Sequence, residues 1–155
     1  MIAQYEALER SPLLNGPRQY ALTQSHKHLK EMKALCDLNY APAFCPIVAD
    51  FYSGMEVTIP LFAEDIHGSM EQIKQLYQQY YCTGLVHYNE DPDSDGMLSA
   101  VAYAGRDDME ICVQGNEERM ILVARFDNLG KGASGAAIQN MNIVLGVDET
   151  TGLEL

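Results

Sequence analysis

The sequence predicts an α+β fold with a mixed, largely antiparallel sheet and helices packed on it. Three features lead to that class. Strand-like runs outnumber helical ones, the connections between them are short, and the run 119–126 is apolar on both faces, which places it at the centre of a sheet. The chain has 155 residues, the size of one ordinary domain and enough for a real core.

Tyr5 and Leu8 suggest a short opening helix that Ser11-Pro12 stops. A helical pattern then begins at Ser25, with apolar residues at Leu29, Met32, Leu35 and Cys36, and Pro42 and Pro46 punctuate an extended segment after it. Met55, Val57, Ile59 and Leu61 alternate with Glu56, Thr58, Pro60 and Phe62 in a half-buried strand, where Pro60 requires an edge or a bulge. The clearest helix is 70–81. Ser69 and Gln72 form a capping box, and Ile73, Leu76, Tyr77, Tyr80 and Tyr81 share one face. Further strands are expected over 85–89, 98–104, 109–114 and 119–126, with Arg125 the exception in the last. Gly130, Gly132 and Gly135 introduce a final helix that runs to about Leu145 and is stopped by Gly146.

Composition narrows the function classes. Hydrophobic residues make up 47% and charged residues 21%, too apolar for a disordered chain. Ten Lys and Arg against 22 Asp and Glu give a formal charge of −12, and no basic cluster offers a nucleic-acid footprint. The longest apolar stretch, Met120 to Ala124, is far short of a bilayer crossing, and no secretory signal opens the chain. Cys36, Cys45, Cys82 and Cys112 form no CxxC pair. They read as small buried hydrophobes in a reducing cytoplasm, which is the expected compartment.

Three segments carry possible chemistry. Asp91, Asp93, Asp95 and Gly96 match the first half of a calcium loop, but Ala102 stands where a bidentate Glu is required, so an acidic turn is expected and no metal site. His26, His28 and Glu31 fall at a helix start, where a histidine kept neutral can act as acid or base. Lys27, Lys30 and Lys33 add local positive charge. A plain polar helix start, capped by Ser25 or His28, is the other reading. Finally, the helix beginning Gly132-Ala133-Ser134-Gly135-Ala136-Ala137 has almost no side chain in its first turns. Another helix, or the flat ring or phosphate of a ligand, must approach it closely.

Together these segments resemble the C-terminal half of the N-acetyl-γ-glutamyl-phosphate reductase family of arginine biosynthesis. Its H-x-H-x-x-E element is matched by His26, His28 and Glu31. Its late signature is matched by Asp127, Asn128, Leu129, Lys131, Gly132, Ala133, Gly135, Ala137, Gln139, Asn140 and Asn142. The tail from Leu145 to Leu153 continues the likeness, and Tyr52-Ser53-Gly54-Met55 is similar to the family's small-residue step into a core strand. The resemblance runs from about residue 20 to the end. Aspartate-semialdehyde dehydrogenases are similar in the Asp-Asn-Leu and Gly-Ala region, without the His-Lys-His element.

The resemblance implies a fold like the C-terminal domain of semialdehyde and glyceraldehyde-phosphate dehydrogenases. It also implies NADPH-dependent reduction of N-acetyl-γ-glutamyl phosphate to the semialdehyde, through attack by a cysteine thiolate. His28 or His26 becomes the acid/base, with Glu31 orienting one of them. Asn128, Leu129, Lys131 and Gly132 are placed near the cofactor, and Lys27 and Lys30 become helpers for the anionic substrate on charge grounds. Residues 1–155 are expected to form a single substrate and dimerisation domain. The NADP-binding Rossmann half, of roughly 150 residues, is expected upstream and absent. The nucleophile's Gly-Cys-aromatic context fits none of the four cysteines, so the chain alone is expected to be inactive. The expected partners are a small acyl phosphate, the NADP-binding domain of the same protein and further copies of the chain, with no nucleic acid and no membrane. The alternatives are a non-catalytic module that associates with itself or a partner, and a fragment of a related semialdehyde dehydrogenase.

Overall fold

The computed structural model describes residues 2–92 and 95–155, which fall into two compact units divided between Phe51 and Tyr52. Asp93, the middle ligand position of the half calcium loop, lies outside the described residues.

The first unit holds α1 (Ile2–Tyr5), a 3-10 turn at Pro12–Asn15, β1 (Arg18–Gln19), α2 (Lys27–Leu35) and β2 (Ile47–Val48). The expected opening helix ends already at Tyr5, and Ser11 caps the following turn by accepting from the Leu13 N–H. β1 and β2 pair antiparallel, Arg18 opposite Val48 and Gln19 opposite Ile47. Helix α2 starts at Lys27 because His26 caps it, in place of the expected Ser25 or His28.

The second unit is built on a four-stranded sheet of β3 (Met55–Phe62), β4 (Val86–Tyr88), β5 (Met109–Gly115) and β6 (Arg119–Phe126), in the order β3-β6-β5-β4. Only β4 and β5 run parallel, so the sheet is mixed and largely antiparallel. The doubly apolar strand β6 is interior, and Met120 and Val123, which point to opposite faces, are both buried. Pro60 is tolerated because β3 is an edge strand. Helix α3 (Met70–Tyr80) has the expected capping box, with Ser69 and Gln72 exchanging hydrogen bonds and Tyr81 closing its end. It lies over the face that carries Tyr88, whose ring meets Tyr77 edge-on at 6.2 Å.

Two expectations are corrected. Residues 98–104 form no strand. They run as successive tight turns, with the N–H groups of Ala102, Ala104 and Arg106 donating to Ser99, Val101 and Tyr103, between Gly96 and Gly105 in left-handed conformations. Tertiary contact overrides the apolar alternation there, because the segment is held at both ends: Tyr103 bonds to β5, and the Ala100 carbonyl presses on Gly54. The second correction concerns the cysteines. Only Cys112 is buried, whereas Cys36, Cys45 and Cys82 are exposed, because their apolar neighbours in sequence are not core residues. Among the described residues no helix is long and apolar enough to cross a membrane.

A π-helical turn, Gly130–Ser134, leads into α4 (Gly135–Leu145), which Gly146 ends in a left-handed cap. A Cβ on Gly130 would strike the Arg106 carbonyl oxygen, and one on Gly135 would strike the Asp107 carboxylate. Replacing Gly130 by Ala is therefore expected to destabilise the protein by about 1–3 kcal/mol, since the obstacle is backbone. Urea unfolding of Gly130→Ala beside the parent checks this, and an unchanged midpoint would contradict the packing described.

Candidate active site

The histidines come together in the first unit through ordinary helix-start chemistry. His26 is extended (φ −67°, ψ 144°), and its Nδ1 accepts from the His28 N–H at 3.3 Å, satisfying one orphan donor of α2. That bond uses the Nδ1 lone pair, so the neutral ring carries its proton on Nε2. The ring of His26 lies 4.6 Å from that of His28, 5.2 Å from that of Phe44 and 6.3 Å from that of Tyr20, centroid to centroid. Phe44 is held in turn by the side-chain amide of Gln24. That amide donates to the Phe44 carbonyl at 2.6 Å and accepts from its N–H at 2.8 Å. Ala21 and Gln24 both have left-handed backbones (φ 52° and 53°), a conformation that costs a non-glycine residue energy and is retained where the surroundings enforce it.

His28 Nε2 stands 3.9 Å from Glu31 Oε2. The geometry thus couples Glu31 to His28, one helical turn away, while His26 is committed to the cap. The separation is too long for a hydrogen bond but suits an ion pair when the imidazole is protonated. Lys27 and Lys30 are exposed beside them, with no ion pair among the described residues.

The second segment is organised around Asp127, which sequence reading placed only in a signature. Its buried carboxylate accepts from Ser53 Oγ at 2.8 Å, from the Leu129 and Gly130 N–H groups at 2.6 and 3.0 Å, and from the Gly105 N–H. Burial alone would raise its pKa. The three backbone donors and the Ser53 hydroxyl outweigh burial and hold the pKa down at about 2. Asn128 Oδ1 accepts from the Gly54 N–H at 2.9 Å, so its amide donors face outward from an exposed residue. Lys131 donates to Gln139 at 2.5 Å, and Gln139 to Glu149 at 2.8 Å, tying the turn to α4 and to the chain beyond it. The close approach inferred for the glycines is thus made from within. Arg106 and Asp107 fill the spaces at Gly130 and Gly135, and a Cβ on Gly132 would crowd the Phe126 ring.

A buried polar cluster in the second unit was missed. Arg125 donates from Nε and Nη2 to Glu110 Oε1 at 2.9 and 2.5 Å, and both residues are buried. Tyr103 and Asn89 donate to the other Glu110 oxygen at 3.0 and 2.8 Å, and His87 Nε2 lies 3.0 Å from the Tyr103 hydroxyl. Burial, then Glu110, pushes the Tyr103 phenol up to about 12. The signal in the sequence was Arg125 itself, a lone charge in an apolar strand, but its partner depends on the strand register. Burial beside Glu110 likewise pushes the Cys112 thiol up to about 11, a poor nucleophile. Among the described residues no group of three or more His, Cys, Asp or Glu side chains could hold a metal.

Comparison with known proteins gives this arrangement a family. Residues 4–128 match the model described as semialdehyde dehydrogenase, dimerisation domain. The chain belongs to that family. It is 44% identical over 144 residues to N-acetyl-gamma-glutamyl-phosphate reductase 2 of Nostoc sp. (strain PCC 7120 / SAG 25.82 / UTEX 2576), covering 86% of this chain and 45% of that protein. It is 39% identical over 153 residues to N-acetyl-gamma-glutamyl-phosphate reductase of Rhizobium meliloti (strain 1021), covering 94% and 49%. With the Brucella ovis protein of that name (strain ATCC 25840 / 63/290 / NCTC 10512) the identity is 40% over 134 residues, covering 82% and 43%. The chain therefore spans a little under half the length of these curated relatives. The family places the α+β expectation on firm ground, since the four-stranded mixed sheet lies within the matched residues.

Asp127 lends itself to a pH test. Its pKa is 3.8 unfolded and about 2 folded, so it contributes about 2 kcal/mol that is fully present above the unfolded value. That contribution is lost as pH falls from about 4 through 2. The Asp127→Asn variant is expected to be less stable by at least that much at pH 7, with the gap to the parent narrowing below pH 4. Urea unfolding at several pH values reads this directly; a gap independent of pH would contradict the carboxylate clasp.

Proposed function

We propose that this chain is the substrate and dimerisation portion of an NADP-dependent reductase that converts N-acetyl-γ-glutamyl phosphate to the semialdehyde with release of phosphate. The observation that carries the reading is the His28–Glu31 pair behind the His26 cap, in a chain whose curated relatives cited above bear the reductase name. His28, with Glu31 one helical turn away at 3.9 Å, moves the proton at the carbonyl oxygen of the reacting carbon. His26 fixes the start of the helix, and Lys27 and Lys30 offer positive charge to the phosphoryl group. NADPH, when bound, supplies the hydride. Toward it this chain contributes the outward amide of Asn128, the exposed Leu129 side chain and the turn through Lys131 and Gly132. The glycines of that turn make room for Arg106, Asp107 and Phe126, so their absent side chains cannot be read as a cofactor cradle.

Within this reading, residues 1–155 act as one domain of the larger protein, in a cytoplasmic setting. The thiolate nucleophile belongs to the other half, because none of the four cysteines has the Gly-Cys-aromatic context, and Cys112 is in addition buried with its thiol raised to about 11. The 155-residue chain by itself is expected to show no phosphate-dependent oxidation of N-acetylglutamate semialdehyde with NADP. Turnover within tenfold of a full-length relative would refute the division of labour. In a full-length protein carrying this chain, His28→Asn is expected to lower kcat ~10²–10⁴-fold. His26→Asn keeps a good capping side chain and is expected to stay within tenfold. Loss of less than tenfold in both variants would remove the acid/base assignment.

The dimerisation-domain match supports self-association, and one face of the sheet suits it. Helix α3 lies over the β4 end of the face holding Val57, Ile59, Leu122 and Ala124. No strand residue of that face is charged, whereas the opposite face carries Glu56, Arg125 and Glu110 in one row. A chain of charge −12 can meet its own copy only where charge is sparse, and Ile59 is 49% exposed there. The C-terminal half of the β3 edge is blunted against pairing: Pro60 has no N–H, and the Phe62 N–H is given to Asp65 at 2.8 Å. The apolar side of α4 lies beyond residue 128, outside the matched dimerisation domain. Ile59→Glu is expected to shift sedimentation toward the monomer at micromolar concentration, and an unaltered distribution would count against this face.

A further inference from the structure

One arginine of the first unit stands apart from the other four in the chain. Four arginines each hold a carboxylate: Arg10 with Asp50, Arg106 with Asp108, Arg119 with Glu118 and Arg125 with Glu110. Arg18 holds none among the described residues, although the chain has 22 acidic side chains against 10 basic ones. Its guanidinium is fixed by a neutral partner instead. Nη2 donates to the Tyr5 hydroxyl at 3.2 Å, and Cζ stands 5.3 Å from the centroid of the Tyr5 ring. Nε is shut off from solvent without an acceptor. Leaving a buried donor unsatisfied is unfavourable, and a phenol ring restores only part of what hydration gave. A guanidinium that is oriented but not neutralised is prepared for an anion.

Its position connects it to the histidines. Tyr20 continues the ladder of β1 by donating its N–H to the Pro46 carbonyl, so Arg18 and Tyr20, two residues apart, lie on one face about 6–7 Å apart at Cα. The Tyr20 ring meets His26 at 6.3 Å, and His28 lies 4.6 Å beyond His26. Arg18 is thus separated from the imidazoles by one aromatic side chain.

We infer that Arg18 is a substrate-binding residue of the His26–His28 site and takes the carboxylate of an N-acylated amino-acid acyl phosphate. The inference rests on the reductase reading. Such a substrate has two anionic ends. The phosphoryl group must sit on the carbon where His28 moves a proton, beside Lys27 and Lys30. The carboxylate lies at the far end of the carbon chain, as Arg18 does across Tyr20. A planar fork of N–H donors suits a carboxylate that persists throughout the reaction, whereas ammonium groups hold the departing phosphate as point charges.

The test uses the 155-residue chain, labelled with nitrogen-15, and reads the Arg18 Nε–H signal. The probe is N-acetylglutamine, which has the carboxylate but no charge at the reacting carbon; its methyl ester and inorganic phosphate are the comparisons. N-acetylglutamine is expected to move the signal saturably and the ester to leave it in place. Arg18→Gln is expected to weaken binding at least tenfold, and Arg18→Lys, which keeps charge without the fork, to weaken it less. The backbone amide spectrum of each variant reports whether it is folded, and Arg18→Lys serves if the glutamine variant is not. Equal binding by Arg18→Lys, Arg18→Gln and the parent would overturn the inference. So would an Arg18 signal that answers to phosphate and not to N-acetylglutamine, or one that answers to neither. Failure of the reductase reading is seen separately, as a full-length protein that binds the carboxylate through Arg18 yet reduces no acyl phosphate.

Discussion

The second unit depends on one carboxylate. Asp127 ends β6, the interior strand, and gathers the Ser53 hydroxyl and the N–H groups of Gly105, Leu129 and Gly130. Those four donors come from the entry to β3, the turn segment before β5 and the start of the glycine-rich turn, which are distant in sequence. Backbone N–H groups that neither sheet nor helix satisfies must find an acceptor when buried, and one ionised carboxylate serves three of them. The adjacent Asn128 repeats the device on Gly54. The turn that follows therefore has its direction set before any side chain of α4 packs.

A second constraint lies two residues back along β6, where Glu56, Arg125 and Glu110 form one row across the sheet. Glu110 and Arg125 face each other in register on β5 and β6 and are both buried, a pair whose desolvation is offset only by complete hydrogen bonding. Tyr103, Asn89 and the Pro92 carbonyl supply the remaining partners. Through Tyr103 the network lays residues 98–104 across the sheet as turns, and through His87 it reaches β4. Stability here comes from satisfying every member of the network, more than from the charge pair alone.

The histidine segment is economical in a different way. One imidazole satisfies the helix start, leaving the second to face Glu31, and the rings meet Phe44 at tilted and edge-on angles, Phe44 being held by both amide atoms of Gln24. The left-handed backbones of Ala21 and Gln24 bring the chain round to that arrangement. Most of this is local, which is why two histidines and a glutamate at i, i+2 and i+5 were enough to mark the segment.

By itself the sequence determined the elements and the family. Alternation at 55–62, the capping box at Ser69, the doubly apolar run at 119–126 and the two chemical segments all express periods and spacings internal to one stretch of chain. The tertiary structure alone decided what those elements do to one another. It made the apolar 98–104 a run of turns, exposed three of four cysteines, gave Arg125 its partner, and filled the space beside Gly130 and Gly135 with protein. Each of these outcomes depends on register or on contact between residues far apart in sequence, and the pattern of a single segment carries no information about either.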